Sequence, residues 1–384
     1  MDLWSIVPYY DAYLCQALKA ERVSVTLGAI TYYLDPSCFV ARGVRNRPGA
    51  VDLAGKFKPP PLVRQALKFL ENGINTAALM IRFGFSPPDI VHVQYLPMLQ
   101  LHLPFELWFL RYCRRLGSKL VCTVHDILPS DTGEAYKHTF QKLYGMMDAL
   151  ICHSEAAKQE LISGFHLAPE CIRVIPHGPF FYDFPKSSPA SARNRLGVKE
   201  EECLVLWQGI IRPYKGVQFL LDAWARVQQA GARARLLIAG TGDEALLAAI
   251  RRKVQALSLE DSVDLRLDFA EPYEMLSYYQ AADIVVYPYR AVTTSGALMT
   301  GITQGKAIIA TSLAPFRELL QDGKNALLCR YADTPGLAAA LLVLINDSPL
   351  RARLAAASAS LNLGEEMWKQ IAAQTVACYE SLRG

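Results

Sequence analysis

The strongest signal in the chain is Gly209-Ile-Ile-Arg212-Pro-Tyr-Lys215-Gly216, which lies between the apolar run 204–207 and the amphipathic segment 217–228. This pattern predicts a strand that ends at a glycine, a short turn with two cations, and then a helix. Arg212 and Lys215 would lie at the carboxyl end of a strand and near a helix amino terminus. There, side-chain charge and unpaired backbone N–H groups can bind a diphosphate together. An Arg and a Lys in a loop are more often solvated surface, so this interpretation depends on the segments further along the chain.

Further segments downstream repeat the alternation of a buried-type strand and a polar or small-residue turn. In chain order they are Leu236-Leu-Ile-Ala-Gly240-Thr-Gly242, Ala282-Asp283-Ile-Val-Val-Tyr-Pro288-Tyr-Arg290 with Thr293-Thr294-Ser295-Gly296-Ala297-Leu298, Gly305-Lys-Ala-Ile-Ile-Ala-Thr311, and Phe316-Arg-Glu318-Leu-Leu-Gln-Asp-Gly323. Strands that alternate with amphipathic helices at short intervals predict parallel βαβ units.

The first half of the chain has the same pattern, with polar residues at the carboxyl end of each predicted strand. The four strands are read from Pro88-Asp-Ile-Val-His-Val-Gln94, Lys119-Leu-Val-Cys-Thr-Val-His125-Asp126, Asp148-Ala-Leu-Ile-Cys-His-Ser154-Glu155 and Ile172-Arg-Val-Ile-Pro-His177-Gly178. Before them, residues 3–7 predict a short strand, and a helix is expected after it that ends near Lys19.

Across residues 85–330 these motifs resemble the family 4 glycosyltransferases. The resemblance implies an α/β fold of GT-B architecture, with two Rossmann-like doubly wound parallel-sheet domains facing across a cleft. We expect an acceptor-side domain over 1–180, a linker near 180–189 and a nucleotide-sugar-binding domain over 190–365. A C-terminal helix over 366–384 is expected to cross back to the first domain.

The resemblance also implies retaining transfer of a sugar from a UDP- or GDP-sugar to an acceptor hydroxyl, with no cofactor beyond this donor substrate. The acceptor class stays open between a glycan, a lipid-linked intermediate and a small molecule. Such a reaction develops negative charge on the leaving phosphate, which preorganised donors can stabilise. The chain has no Asp-x-Asp motif at a strand end and no metal-ligand spacing of His and Cys. We therefore predict metal-independent catalysis.

The candidate site residues come from these motifs. Arg212, Lys215 and His125 are the predicted catalytic residues; an imidazole at a strand end can stabilise a sugar hydroxyl or accept a proton. The predicted donor-binding residues are Gly209, Gly240, Gly242, Thr294, Ser295, Gly296, Ala297, Leu298 and Glu318. The predicted acceptor-side residues are Tyr9, Tyr10, Asp126, Ser154 and His177.

Two departures from the family pattern keep alternatives open. The family's paired glutamates, eight positions apart, would fall at Val292 and Thr300, and neither residue is acidic. The glycine-rich turn after the first strand is also missing, because no glycine precedes Gly28. The alternatives are a nucleotide-sugar epimerase of the same architecture and a catalytically silent GT-B binding protein.

Composition and charge limit which other classes of protein the chain can belong to. A chain of 384 residues is too long for one compact core, and a formal charge of +4 does not favour nucleic-acid binding. Nine cysteines without a Cys-x-x-Cys pair and a start without a basic n-region predict a reducing, cytoplasmic location. Segment 104–115 is amphipathic and ends in cations. Either it contacts an anionic membrane surface at the inner face of the membrane, or it packs on the sheet with its cations at the helix dipole's negative end.

Overall fold

The computed structural model describes residues 1–2, 7–28, 37–44, 46–47, 51, 53, 57, 60–97, 99, 105–128, 133–185, 188–361 and 363–383. The strand predicted at 3–7 lies, except for Val7, outside the described residues. The chain separates into two compact units. The first comprises Met1–Gly178 and Glu366–Gly384, and the second comprises Pro179–Glu365.

The first unit contains a four-stranded parallel sheet in the order β3-β4-β5-β6 and a separate parallel pair, β1-β2. The strands are β1 (Leu27–Gly28), β2 (Asn46–Arg47), β3 (Ile90–Val93), β4 (Lys119–Thr123), β5 (Ala149–Cys152) and β6 (Ile172–Val174). The helices between them are α1 (Pro8–Ala20), α2 (Ser37–Ala41), α3 (Pro61–Phe85), α4 (Phe105–Arg115), α5 (Lys137–Tyr144) and α6 (Glu155–Phe165).

The second unit is a six-stranded parallel sheet in the order β12-β11-β10-β7-β8-β9. Its strands are β7 (Cys203–Gln208), β8 (Ala234–Ala239), β9 (Val263–Arg266), β10 (Ile284–Tyr287), β11 (Ala307–Thr311) and β12 (Leu327–Cys329). Its helices are α7 (Pro189–Leu196), α8 (Val217–Gln229), α9 (Glu244–Ala256), α10 (Pro272–Ala281), α11 (Gly296–Thr303), α12 (Ala314–Arg317), α13 (Thr334–Asn346) and α14 (Ser348–Ala359).

Successive residues of the central strands enter two different cores, as the alternation of side chains along a strand requires. In β7, Val205 and Trp207 pack with α8, α9 and α13, whereas Leu204 and Leu206 pack with α10 and α11. Helices therefore cover both faces of the sheet, which explains why its central strands β7 and β10 are almost entirely apolar. The predicted doubly wound α/β fold is confirmed.

The strand order reverses beside β7. The chain runs from β7 through β8 to β9 at one edge, and then returns to place β10 on the other side of β7. Ligands of open parallel sheets bind outside the strand carboxyl ends at such a reversal. The carboxyl ends of β7 and β10 are therefore the place in this unit where a binding site is expected.

The last helix, α15 (Glu365–Ser381), packs in the first unit. The Trp368 ring stacks on Tyr13 at 5.4 Å between ring centres. A Cβ atom on Gly178 would come within 2.3 Å of the same indole, so only glycine fits there. None of the helices in the described part of the chain has the length and apolar character needed to cross a membrane.

Candidate active site

The turn after β7 has the predicted layout of strand, cationic turn and helix. β7 ends at Gln208, a single 3-10 turn covers Pro213–Lys215, and α8 begins at Val217. The buried indole of Trp207 donates a hydrogen bond to the carbonyl oxygen of Lys215 at 3.3 Å. This bond fixes the end of the turn to the strand that precedes it.

The Lys215 ammonium lies directly over Gly209. A Cβ atom on Gly209 would stand 3.0 Å from Nζ of Lys215, and the glycine has a φ of +149°. The same ammonium is 5.8 Å from the ring centre of Tyr289, which comes after β10. Arg212 is exposed, on extended backbone at the start of the turn. Both predicted cations therefore lie at the carboxyl end of β7.

Gly240 and Gly242 support this turn from the end of β8. A Cβ atom on Gly240 would be 1.9 Å from the Gly209 carbonyl oxygen, and one on Gly242 would be 2.9 Å from Cβ of Ile211. The Ile211 amide also donates to the carbonyl oxygen of Thr241 at 2.7 Å. The two glycines thus allow the β7 and β8 turns to touch through their backbones.

The amino terminus of α11 lies next in the chain after β10. Ser295 caps it, because its Oγ accepts a hydrogen bond from the Leu298 amide at 3.1 Å. Leu298 is buried as well, so neither its amide nor its side chain is free for a ligand. The amides of Gly296 and Ala297 lie in the first helical turn, where the helix itself supplies no acceptor. Thr294 precedes the cap and is half-buried.

Two buried tyrosines hold this helix terminus in place. The Tyr287 hydroxyl donates to the Ala297 carbonyl oxygen at 2.7 Å, and the Tyr279 hydroxyl does so at 3.3 Å. The Tyr279 hydroxyl is also 3.0 Å from Oε1 of Gln208, the last residue of β7. Sequence reasoning missed these tyrosines, since only the tertiary structure brings residues of β7, α10 and β10 together.

Val292 and Thr300, which stand where the family has its paired glutamates, both support the fold. Thr300 is buried, and its hydroxyl donates to the Gly296 carbonyl oxygen at 2.9 Å within α11. Val292 packs on the core shared by β10 and β11. Glu318, the remaining candidate carboxylate nearby in sequence, is exposed at the end of α12.

In the first unit, aromatic and imidazole rings gather at the carboxyl ends of β4, β5 and β6. Tyr10 of α1 lies 4.7 Å from His125, 5.4 Å from His153 and 5.1 Å from His177 between ring centres. Tyr10 also packs on Trp368 at 5.4 Å. We call His125, His153, His177 and Tyr10 the histidine cluster. It brings three of the predicted residues together and adds His153.

Hydrogen bonds orient the imidazoles of this cluster. Nδ1 of His153 donates to the Ile175 carbonyl oxygen at 2.9 Å, which leaves its Nε2 as an acceptor facing Nδ1 of His125 at 3.4 Å. Nε2 of His125 is 3.0 Å from Oε1 of Gln94. Gln94 is buried and was not among the predicted site residues, although its place just after β3 matches the strand-end pattern.

Burial keeps these rings neutral. It lowers the pKa of His153 to about 4 and that of His177 to about 3. Burial, together with the neighbouring histidines, holds the pKa of His125 well below its usual value. His92 is likewise lowered to a pKa of about 3, and its two ring nitrogens contact Tyr379 and Thr123. Neutral imidazoles can both donate and accept hydrogen bonds, which suits contacts with sugar hydroxyls.

The other predicted acceptor-side residues have different surroundings. Ser154 is buried and caps α6 by accepting from the Ala157 amide at 3.1 Å. Nδ1 of His177 donates to the Gly178 carbonyl oxygen at 2.7 Å. Tyr9 is half-buried on α1, and Asp126 is exposed beside His125.

Carboxylates show no arrangement for metal binding in the described ranges. No group of three His, Cys, Asp or Glu side chains there is placed to hold a metal ion. Asp264, in β9, forms an ion pair with Arg266 at 3.2 Å.

Comparison with known proteins agrees with the fold and the motifs. A model of "Glycosyltransferase Family 4" matches residues 12–178, and one of "Glycosyl transferases group 1" matches residues 202–347. The D-inositol 3-phosphate glycosyltransferase of Thermobispora bispora is 25% identical over 376 residues, which cover 90% of this chain and 85% of that protein. The chain belongs to glycosyltransferase family 4.

Other relatives match a smaller share of their own length. The chain covers 62% of the D-inositol 3-phosphate glycosyltransferase of Stackebrandtia nassauensis, at 25% identity over 70% of this chain. It covers 52% of the enzyme of that name from Geodermatophilus obscurus, at 27% identity over 60% of this chain.

Solved structures share the complete GT-B fold. Anabaena Alr3699/HepE, in complex with UDP and glucose, superposes with a TM-score of 0.74 at 18% identity, over 96% of this chain and 95% of that chain. Sucrose-phosphate synthase from Thermosynechococcus elongatus gives 0.73 at 20% identity, over 96% and 91%.

The first prediction concerns acid stability. Below pH 6.5 the unfolded chain protonates its histidines, whereas the buried rings stay neutral until about pH 4 or lower. The unfolded state then binds more protons, so stability falls as the pH falls, by up to about 1.4 kcal/mol per pH unit for each ring. His153→Gln should reduce the slope of the free energy of unfolding against pH by about the contribution of one histidine ring.

The measurement is urea unfolding of the full chain between pH 7.5 and 5. The matched control is His138→Gln, which removes an exposed histidine and should leave the slope unchanged. Equal slopes for the His153 variant and the wild type would show that the ring takes up its proton in the folded chain as readily as in the unfolded chain.

Proposed function

We propose that this protein is a retaining, metal-independent glycosyltransferase that moves a sugar from a nucleoside-diphosphate sugar to an acceptor hydroxyl. The observation that carries the proposal is the place of a turn with two cations and of a capped helix terminus at the strand ends where the strand order reverses beside β7. Such a place in an open sheet suits a phosphate ligand. Membership of family 4 and structural likeness to a protein solved with UDP support the same donor class.

In this proposal Arg212 and Lys215 bind the donor diphosphate. Both residues lie in the turn that follows β7, and the amides of Gly296 and Ala297 add uncharged donors at the α11 terminus. The charge that grows on the leaving phosphate is then met by groups that the fold has already oriented. The half-buried hydroxyls of Thr293 and Thr294 are the nearest replacements for a ribose-binding glutamate.

The acceptor's proton is assigned to the leaving phosphate. His125 has a pKa far below neutrality, and the described neighbours of its ring are other histidines, Tyr10 and Gln94. We therefore assign His125 to hydrogen bonding with the donor sugar, and we infer attack on the same face as the departing phosphate.

Replacing the two cations should slow turnover. Arg212→Ala and Lys215→Ala should each cost about 2–4 kcal/mol of transition-state stabilisation, as the loss of comparable charged donors does. The assay is donor hydrolysis or transfer with a panel of UDP- and GDP-sugars. Arg252→Ala removes another exposed cation, on α9, and serves as the control.

Wild-type turnover in the Arg212→Ala/Lys215→Ala double variant would contradict the proposal that these two residues bind the donor diphosphate. An epimerised donor without transfer would instead support an epimerase. Tight nucleotide-sugar binding without any turnover would support a silent binding protein.

Metal removal should leave the rate nearly unchanged. The cations at β7 and the α11 amides supply the positive potential that Mg²⁺ or Mn²⁺ would otherwise provide. The measurement is turnover after EDTA treatment, with added Mn²⁺ as the comparison. A rate abolished by EDTA and restored by Mn²⁺ contradicts the cationic mechanism.

The product should keep the anomeric configuration of the donor, as family 4 resemblance implies. NMR of the anomeric proton gives the configuration directly. His125→Ala should lower kcat more than it weakens donor binding, because the ring is proposed to act on the reacting sugar. An inverted product would contradict both the same-face route and the role of His125.

A further inference from the structure

Helix α3 (Pro61–Phe85) turns its apolar stripe outward. Five large apolar residues are 49–88% exposed, and they succeed one another at intervals of seven, four, seven and four positions. That spacing places all of them along one line of an α-helix. They are Val63, Leu70, Ile74, Ile81 and Phe85.

Polar side chains occupy the middle of the opposite, buried side of α3, and Leu79, Met80 and Phe83 pack on the core of the first unit near its carboxyl end. Lys68, Glu71, Asn72, Asn75 and Thr76 are each at most 8% exposed. The Asn75 amide donates to the Val51 carbonyl oxygen at 2.7 Å, and its Oδ1 accepts from the Val51 amide at 3.0 Å. These bonds fix the rotation of the helix, so the apolar stripe cannot turn inward without breaking them. The usual surface helix has the reverse orientation.

Aromatic rings also connect α3 with α4. The Phe69 and Phe105 rings lie 6.1 Å apart, and Phe105 contacts Trp108 edge-on at 5.4 Å. Phe105 is 40% exposed and Trp108 is 53% exposed. The other side of α4 buries Leu107, Phe109, Leu110 and Cys113 in the core of the first unit. The helix therefore packs on the sheet and still presents aromatic rings outside.

The exposed charges on these two helices all have one sign. Their two carboxylates, Glu71 and Glu106, are 2% and 0% exposed. Oε2 of Glu106 accepts a hydrogen bond from the Leu99 amide at 3.1 Å. Among the described side chains of α3 and α4, the exposed charged groups are Arg82, Arg111, Arg114 and Arg115.

We propose that this surface, the α3–α4 face, binds an anionic lipid bilayer. The face comprises the apolar stripe of α3, the rings of Phe105 and Trp108, and the exposed Arg82, Arg111 and Arg115. Arg114 is left out because it pairs with Asp148 at 3.6 Å. A helix whose apolar side reaches the acyl boundary, with Trp at headgroup level and Arg beside lipid phosphates, has the chemistry of an interfacial helix.

The positive charge of the α3–α4 face favours an anionic lipid surface as its partner over a second copy of the chain. Two copies meeting through this face would bring arginines together with no exposed carboxylate among the described side chains of α3 and α4 to pair with them. An anionic headgroup layer supplies the missing negative charge, and the 25-residue helix offers a contact about 37 Å long. Exposed apolar patches of this extent mark interaction sites on protein surfaces.

The test is flotation of the full chain with vesicles of phosphatidylglycerol and phosphatidylcholine, and with phosphatidylcholine alone. Binding should require phosphatidylglycerol and weaken at high salt. Arg111→Glu with Arg115→Glu should lower affinity roughly 10- to 30-fold, and Ile81→Ser with Phe85→Ser should lower it about as much. Each changes exposed side chains only, so the fold should be retained.

The matched controls are Arg252→Glu and Val343→Ser, which alter an exposed cation and an exposed apolar residue on other helices. Both should float as the wild type does. The proposal is overturned if the wild type ignores anionic vesicles or floats equally with neutral ones. A dimer in light scattering that the Ile81/Phe85 variant dissociates would assign the face to a second copy instead.

Discussion

The close backbone contact between the ends of β7 and β8 is the constraint on which the candidate site depends. Gly240 stands against the Gly209 carbonyl, and the Ile211 amide bonds to Thr241, so the two turns cannot separate without losing this contact. The Lys215 ammonium lies above Gly209, the glycine that directly follows β7. A side chain at either glycine would move charge as well as backbone, so the local packing and the site chemistry are inseparable.

Much of the second unit could be predicted because its signals are local. Each apolar strand, each glycine turn and the Ser295 cap is encoded by residues that are close together in the sequence, and the structure has each of them. Tyr279 and Tyr287 were missed because their contacts with Gln208 and Ala297 form only in the folded chain. Gln94 was missed although it stands just after β3, as the strand-end pattern requires. Ser154 was predicted to line a cleft, but the same residue type is the usual first choice for a helix cap.

The orientation of α3 could not be read from its pattern either. An amphipathic helix has the same periodicity whichever side faces the core, and the usual assumption would have buried Leu70, Ile74 and Ile81. The two hydrogen bonds between the Asn75 side chain and the Val51 backbone instead hold the polar side of the helix inward. Polar groups can be the better inward side where backbone amides and carbonyls need partners, since an unmet buried group costs more than an exposed leucine.

The position of Trp368 against Gly178 has a consequence for synthesis of the chain. The first unit takes one wall of its aromatic interior from α15, which is translated after the second unit. While the second unit emerges from the ribosome, Tyr10 and Tyr13 lack their contact with the Trp368 indole. The amino-terminal unit therefore completes its core only after the second unit has been synthesised, and until then it is exposed to chaperones and to misassembly. Nascent chains stalled before residue 366 would carry an unfinished first unit beside a nearly complete second one.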